Sequence, residues 1–65
     1  MNIIVNGKPC TIRSATLADA LVELGYGDAR VATARGGDFI PAAARAACQL
    51  QEGDVLEILM PMRGG

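Results

Sequence analysis

Asn6-Gly7 lies between two short runs rich in β-branched residues, Asn2-Ile3-Ile4-Val5-Asn6 before it and Cys10-Thr11-Ile12-Arg13 after it. An Asn-Gly pair readily takes the positive φ angles that a tight hairpin demands, so the chain is expected to open as a β-hairpin turning through Gly7-Lys8-Pro9. Alternation along the strands puts Ile3, Val5 and Ile12 on one side of that hairpin and Ile4 on the other. A lone hairpin is marginal in water, so its apolar side needs a cover. The next segment supplies one. In Thr16-Leu17-Ala18-Asp19 a hydroxyl can cap free amides and an acid sits in the first turn. Leu17, Ala20, Leu21 and Leu24 then recur at the spacing of one buried helical stripe, with Asp19 and Glu23 on the opposite side. Gly25 and Gly27 can end the helix.

Beyond the helix, Val31-Ala32-Thr33-Ala34 reads as a third strand and Arg35-Gly36-Gly37-Asp38 as a turn into a short strand, Asp38-Phe39-Ile40, which Pro41 stops. Residues 42–47 are alanine-rich with Arg45 in the middle, expected to form one helical turn with Pro41 at its first position. Alanine has little bulk, so this turn is expected to be a weak anchor. Gln51-Glu52-Gly53-Asp54 is a polar turn, and Val55 to Met60 is the most apolar strand, closed by Pro61. Only one of its two alternating sets can lie under the helix. Leu56, Ile58 and Met60 are expected inward. Val55 and Leu59 then share the outer face with Ile4, if the first and last strands pair centrally. An apolar patch on an open sheet face suggests a docking surface, and scattered exposed aliphatics are the plainer alternative. The expected architecture is α+β: a mixed sheet with one main helix packed on one face, in the order ββαββ, short helical turn, β. Residues 1–60 form the domain and 61–65 a flexible tail.

A chain of 65 residues buries only about 60% of the surface its unfolded form exposes, which leaves little room for an enclosed active site. Two aromatics, Tyr26 and Phe39, mean an aliphatic core. There is no histidine, and Cys10 and Cys48 are too few and too far apart for a disulfide framework or a metal motif. Both read as small buried hydrophobes, with a single disulfide between them left open. Net charge is −1 and the six basic residues are scattered, so no footprint for nucleic acid is present. The lack of a long apolar run or a signal-like N-terminus points away from a membrane and toward a cytoplasmic chain, monomeric when free. Glu52 and Asp54 are neighbours only because they flank a turn. With no nucleophile–base pair and no metal ligands, an enzyme is not expected.

The sequence ends in Met62-Arg63-Gly64-Gly65. Glycines lack Cβ, so such a segment can pass through a narrow channel in another protein. Five residues from Pro61 span at most roughly 17 Å. An α-carboxylate on Gly65, with a free pKa of about 3.3–3.7, is ionised at neutral pH and can attack an activating phosphate without a base. The chain therefore reads as itself a substrate. Gly65 is the candidate reacting residue, and Gly64, Arg63, Met62, Leu59, Val55 and Ile4 are candidate partner contacts. Arg63 either pairs with a partner's carboxylate through its planar fork or keeps the tail solvated.

The opening Ile3-Ile4-Val5-Asn6-Gly7, the helix start Thr16 to Leu21, Phe39-Ile40-Pro41, Glu52 to Ile58 and Gly64-Gly65 together resemble the ThiS family of thiamine-biosynthesis sulfur carriers. The likeness runs over essentially the whole chain and implies a ubiquitin-like β-grasp fold. It also implies a cycle. A ThiF-like adenylyltransferase uses ATP and magnesium to adenylate the Gly65 carboxylate. A sulfur donor such as a cysteine desulfurase then converts it to a thiocarboxylate, and a ThiG-like thiazole synthase takes the sulfur. No cofactor bound by the chain itself is implied. The Met62-to-Gly65 ending also resembles that of ubiquitin, which keeps a protein modifier or docking module open as a second class. The acceptor likewise stays open among thiazole, molybdopterin, cysteine and tRNA thiolation routes.

Overall fold

The computed structural model describes residues 1–27 and 29–60. Its elements are β1 (Asn2–Val5), β2 (Lys8–Thr11), α1 (Leu17–Glu23), β3 (Ala32–Arg35), β4 (Asp38–Ile40), a 3₁₀ helix (Ala42–Ala47) and β5 (Val55–Leu59). The strands form one mixed sheet in the order β2-β1-β5-β3-β4. β1 and β5 run parallel at its centre and the other neighbours are antiparallel. Element order and type agree with the sequence reading, and so does the central pairing of the first and last strands.

The opening turn is tighter than expected. Asn6 and Gly7 alone make it, at φ 51° and 81°, so β2 begins at Lys8 and Pro9 lies within the strand. An edge strand tolerates a residue without an N–H, and β2 is at the edge. Gly36 and Gly37 close the β3–β4 hairpin in the same way, at φ 57° and 87°. Ile12 falls just past β2 yet is buried, because the ladder continues there: its N–H donates to the Met1 carbonyl at 2.9 Å and the Met1 ammonium to its own carbonyl at 2.7 Å.

α1 starts where Thr16 Oγ1 accepts the Asp19 N–H at 3.2 Å. It ends where the Gly25 N–H donates to Val22 and the Tyr26 N–H to Leu21, at 3.1 and 2.7 Å. Leu17, Ala20 and Leu21 are buried against Ile3, Ile12, Leu50, Leu56 and Ile58, an aliphatic core. Glu23, exposed on the far side, gathers the loop that leads into the helix. It accepts the Arg13 N–H at 2.9 Å, the Ser14 N–H at 3.0 Å and the Ser14 hydroxyl at 2.6 Å. The Ser14 hydroxyl above all, then the Arg13 amide, favours the anion and lowers its pKa from the ordinary 4.5. A lowered folded-state pKa stabilises the fold above the unfolded value and loses that contribution as pH falls through the folded one. Glu23→Gln should therefore flatten the acid limb of thermal stability, while Arg13 and Ser14 amides exchange faster. An unchanged acid limb would show that this carboxylate is not coupled to folding.

Three expectations need correction. Met60 is not inward: it is 63% exposed, one residue past the end of β5. The elements that would cover it, around Ala29 and Ala42, lack bulk, and an open hollow of about 480 Å³ remains beside it. Pro41 is the residue before the 3₁₀ helix, extended at φ −66° and ψ 156°, and not its first member. The alanine-rich turn is anchored by polar contacts instead of bulk. Arg45 Nε donates to Thr33 Oγ1 at 3.1 Å and Arg45 Nη2 to the Val31 carbonyl at 2.6 Å, while buried Thr33 donates onward to the Ile40 carbonyl at 2.8 Å. Cys10 and Cys48 are half-buried free thiols packed against the core. The tail expected at 61–65 lies outside the described residues.

Candidate functional site

α1 covers one side of the sheet and leaves the other open. Cross-strand register fixes which side chains share the open side, because residues directly opposite one another point the same way. Ile4 is level with Pro9 on one neighbour and Val55 on the other, so these three form a row across β2, β1 and β5. Glu57, Ala34 and Phe39 form the next row, and Leu59 with Ala32 a third. Ile4, Val55 and Leu59 are 37%, 43% and 63% exposed, on the face where alternation put them. Val55 and Leu59 are four positions apart, roughly 13 Å along the strand.

Phe39 belongs to this face and sequence reasoning missed it. At 68% it is the most exposed large apolar side chain among the described residues, and the signal was available. Its strand neighbour Ile40 turns inward, so an aromatic next to it had to turn out. Glu57 is the single ionised side chain among the strand residues of the face. The surface is thus aliphatic and aromatic around one carboxylate, which suits docking far better than chemistry.

The remaining carboxylates near β5 are occupied locally. Asp54 Oδ2 lies 3.0 Å from Arg35 Nε and accepts the Gln51 N–H at 2.8 Å, closing the turn into β5. Glu52 Oε1 accepts the Asn2 N–H at 3.0 Å. Among the described residues no group of three or more acidic, cysteine or histidine side chains could hold a metal ion. No described helix is long and apolar enough to cross a membrane. β5 ends at Leu59, on the open face, and the candidates Met62, Arg63, Gly64 and Gly65 lie outside the described residues.

The model of the ThiS family matches residues 3–65. Among solved structures, the crystal structure of the thiamine biosynthesis protein ThiS from Geobacter metallireducens is similar, with a TM-score of 0.83 and 33% identity over 100% of both chains. A solution NMR structure of a thiamine biosynthesis protein from the same organism gives 0.79 and 32%, covering 100% of this chain and 88% of that one. Comparison with curated proteins returns no significant match. Likeness over the full length, in a mixed five-stranded sheet with one main helix, identifies the fold as a ubiquitin-like β-grasp. With the family model reaching from the first strand through the last residue, this chain belongs to the ThiS family.

Proposed function

We propose that this chain is a sulfur carrier in thiamine biosynthesis whose reacting group is the Gly65 carboxylate. One observation carries the reading: the family match extends to residue 65, so the terminal Gly64-Gly65 pair falls inside it. The likeness to a thiamine biosynthesis protein over the whole of both chains supports the pathway.

In this reading residues 1–60 are the recognition body and 61–65 the segment that enters a partner. A ThiF-like adenylyltransferase binds ATP and magnesium, and a Gly65 carboxylate oxygen attacks the α-phosphate with loss of pyrophosphate. A carboxylate resists attack because it is anionic and has no good leaving group; the acyl-adenylate has both defects removed. The outer sulfur of a persulfide on a donor such as a cysteine desulfurase then attacks the acyl carbon and expels AMP, and a thiol cleaves the resulting acyl disulfide, forming a disulfide with the donor sulfur and releasing the thiocarboxylate. At a ThiG-like thiazole synthase that sulfur is passed on and the carboxylate returns. The chain needs no acid, base, metal or cofactor of its own, since the partners supply them.

The open face fits this division of labour. Ile4, Val55, Leu59 and Phe39 offer a partner an apolar surface ending where the reacting segment begins. The test is intact-protein mass spectrometry after incubation with ATP, magnesium, the activating enzyme and a sulfur donor. A mass gain of one oxygen-to-sulfur exchange, localised to Gly65, is expected. An unchanged mass in a system that loads another carrier, or an isopeptide-linked ladder, would overturn the proposal in favour of a protein modifier or docking module.

A further inference from the structure

In the central parallel pair, main-chain bonds run from the Ile4 N–H to the Asp54 carbonyl at 2.9 Å and from the Asn6 N–H to the Leu56 carbonyl at 3.0 Å. There β1 stops facing β5, because Asn6 and Gly7 turn the chain away. β5 nevertheless continues to Leu59. Ile58 is the next residue whose N–H and C=O point toward the departed strand, and both would be left without a partner at the sheet centre. Unpaired backbone groups away from water cost about as much as a lost hydrogen bond.

The side chain of Asn6 meets both. Its Oδ1 accepts the Ile58 N–H at 2.8 Å and its Nδ2 donates to the Ile58 carbonyl at 2.9 Å. A carboxamide carries the donor and acceptor of a peptide unit, so Asn6 adds one rung where the main chain no longer can. Its type is doubly constrained. The residue must also sit at φ 51°, the one positive φ outside glycine among the described residues, and asparagine tolerates that region better than most. On the other flank Leu59 is paired with Ala32. The end of β5 is therefore held on one side by a strand and on the other by a single side chain.

We propose that Asn6 is a positioning residue for the C-terminal segment: its grip on Ile58 fixes the direction in which the chain leaves the sheet toward the reacting carboxylate. The inference rests on the carrier reading above. Residues released from the end of β5 would have to be ordered again whenever a partner aligns Gly65 with ATP, and that entropy would be lost at the reacting step. Most of the docking face, Ile4, Val55 and Phe39, lies outside the released residues, so the larger effect belongs in kcat and the smaller in KM.

The experiment is ATP–pyrophosphate exchange by the activating enzyme with this chain as the varied substrate. Asn6→Gly keeps the positive φ and removes both bonds; Asn6→Asp keeps the acceptor for the Ile58 N–H and loses the donor. Asn6→Gly should remain folded, exchange its Ile58 and Leu59 amides faster, and lower kcat about tenfold with KM within about twofold, as expected of misalignment by a fraction of an ångström. Asn6→Asp should fall between it and wild type. Val55→Lys, on the docking face, should do the reverse and raise KM. A folded Asn6→Gly with wild-type kcat overturns the inference; if that variant does not fold, a wild-type kcat in Asn6→Asp does so. A wild-type chain that supports no exchange overturns the carrier reading and this inference with it.

Discussion

Deleting Gly65 is expected to abolish sulfur loading while leaving the thermal unfolding of the domain unchanged. The shortened chain still ends in a glycine carboxylate, so chemistry at the terminus is formally intact. What changes is reach. One residue fewer draws the carboxylate back by up to about 3.3–3.6 Å. Attack on a phosphate requires the reacting atoms to come within roughly 3–3.5 Å in line, and misplacement by about 1 Å can already cost a factor of about a hundred. A deficit several times larger leaves no detectable product. Stability should not follow, because among the described residues every core residue lies between Ile3 and Ile58. Capping Gly65 as a primary amide separates reach from charge: length is kept and the nucleophilic anion is lost. Both variants should give no mass gain in the loading assay. Loading of the amidated chain would move the reacting group elsewhere and end the proposal, whereas loading of the deletion alone would show that the partner's channel tolerates a shorter segment.

Features set by near neighbours were legible in the sequence. The Asn6-Gly7 hairpin, the Thr16 cap and the Leu17-Ala20-Leu21 stripe each depend on a few adjacent residues; the cap and stripe appear as read, and the hairpin does too except that Asn6 and Gly7 alone make its turn. Strand alternation also carried far: it separated Leu56 and Ile58 from Val55 and Leu59. It failed at Met60, because alternation says which way a side chain points and not whether anything lies there to cover it. Contacts between distant residues were the harder part. Asn6 was readable as a turn residue, but its bond to Ile58 links positions 52 apart and exists only because β1 and β5 pair in parallel. Arg45 looked like a charge in a weak alanine turn until β3 placed Thr33 beneath it. Of the candidate site, Ile4, Val55 and Leu59 were placed on the open face by the same alternation, while Phe39 was passed over in a segment read only as a short strand.

Leu56→Ala is expected to leave the chain substantially unfolded at 25 °C, while Leu59→Ala, three residues along the same strand, leaves it folded. Leu56 is fully buried between α1 and the sheet, so truncation removes transfer free energy and opens a cavity, together about 2–5 kcal/mol. A core in a chain this small rarely supplies more than about 3–5 kcal/mol, and no disulfide between Cys10 and Cys48 supplements it. The loss is comparable to the whole. Leu59 is 63% exposed, and its truncation should stay within about 0.5 kcal/mol. Urea unfolding followed by circular dichroism checks both, through the midpoint of each variant at constant slope. A Leu59→Ala midpoint lowered as far as that of Leu56→Ala would mean that the open face is buried in solution against another copy of the chain, and the free protein would not be a monomer. The contrast matters for function because β5 serves three tasks at once. One side of it holds the core, the other carries the exposed aliphatics that the proposed reading assigns to a partner, and its end is gripped by Asn6, just before the segment proposed to react. A carrier that is handed between several enzymes needs its docking contacts to change without loosening its fold. Period-two alternation along a single strand achieves that separation with adjacent residues.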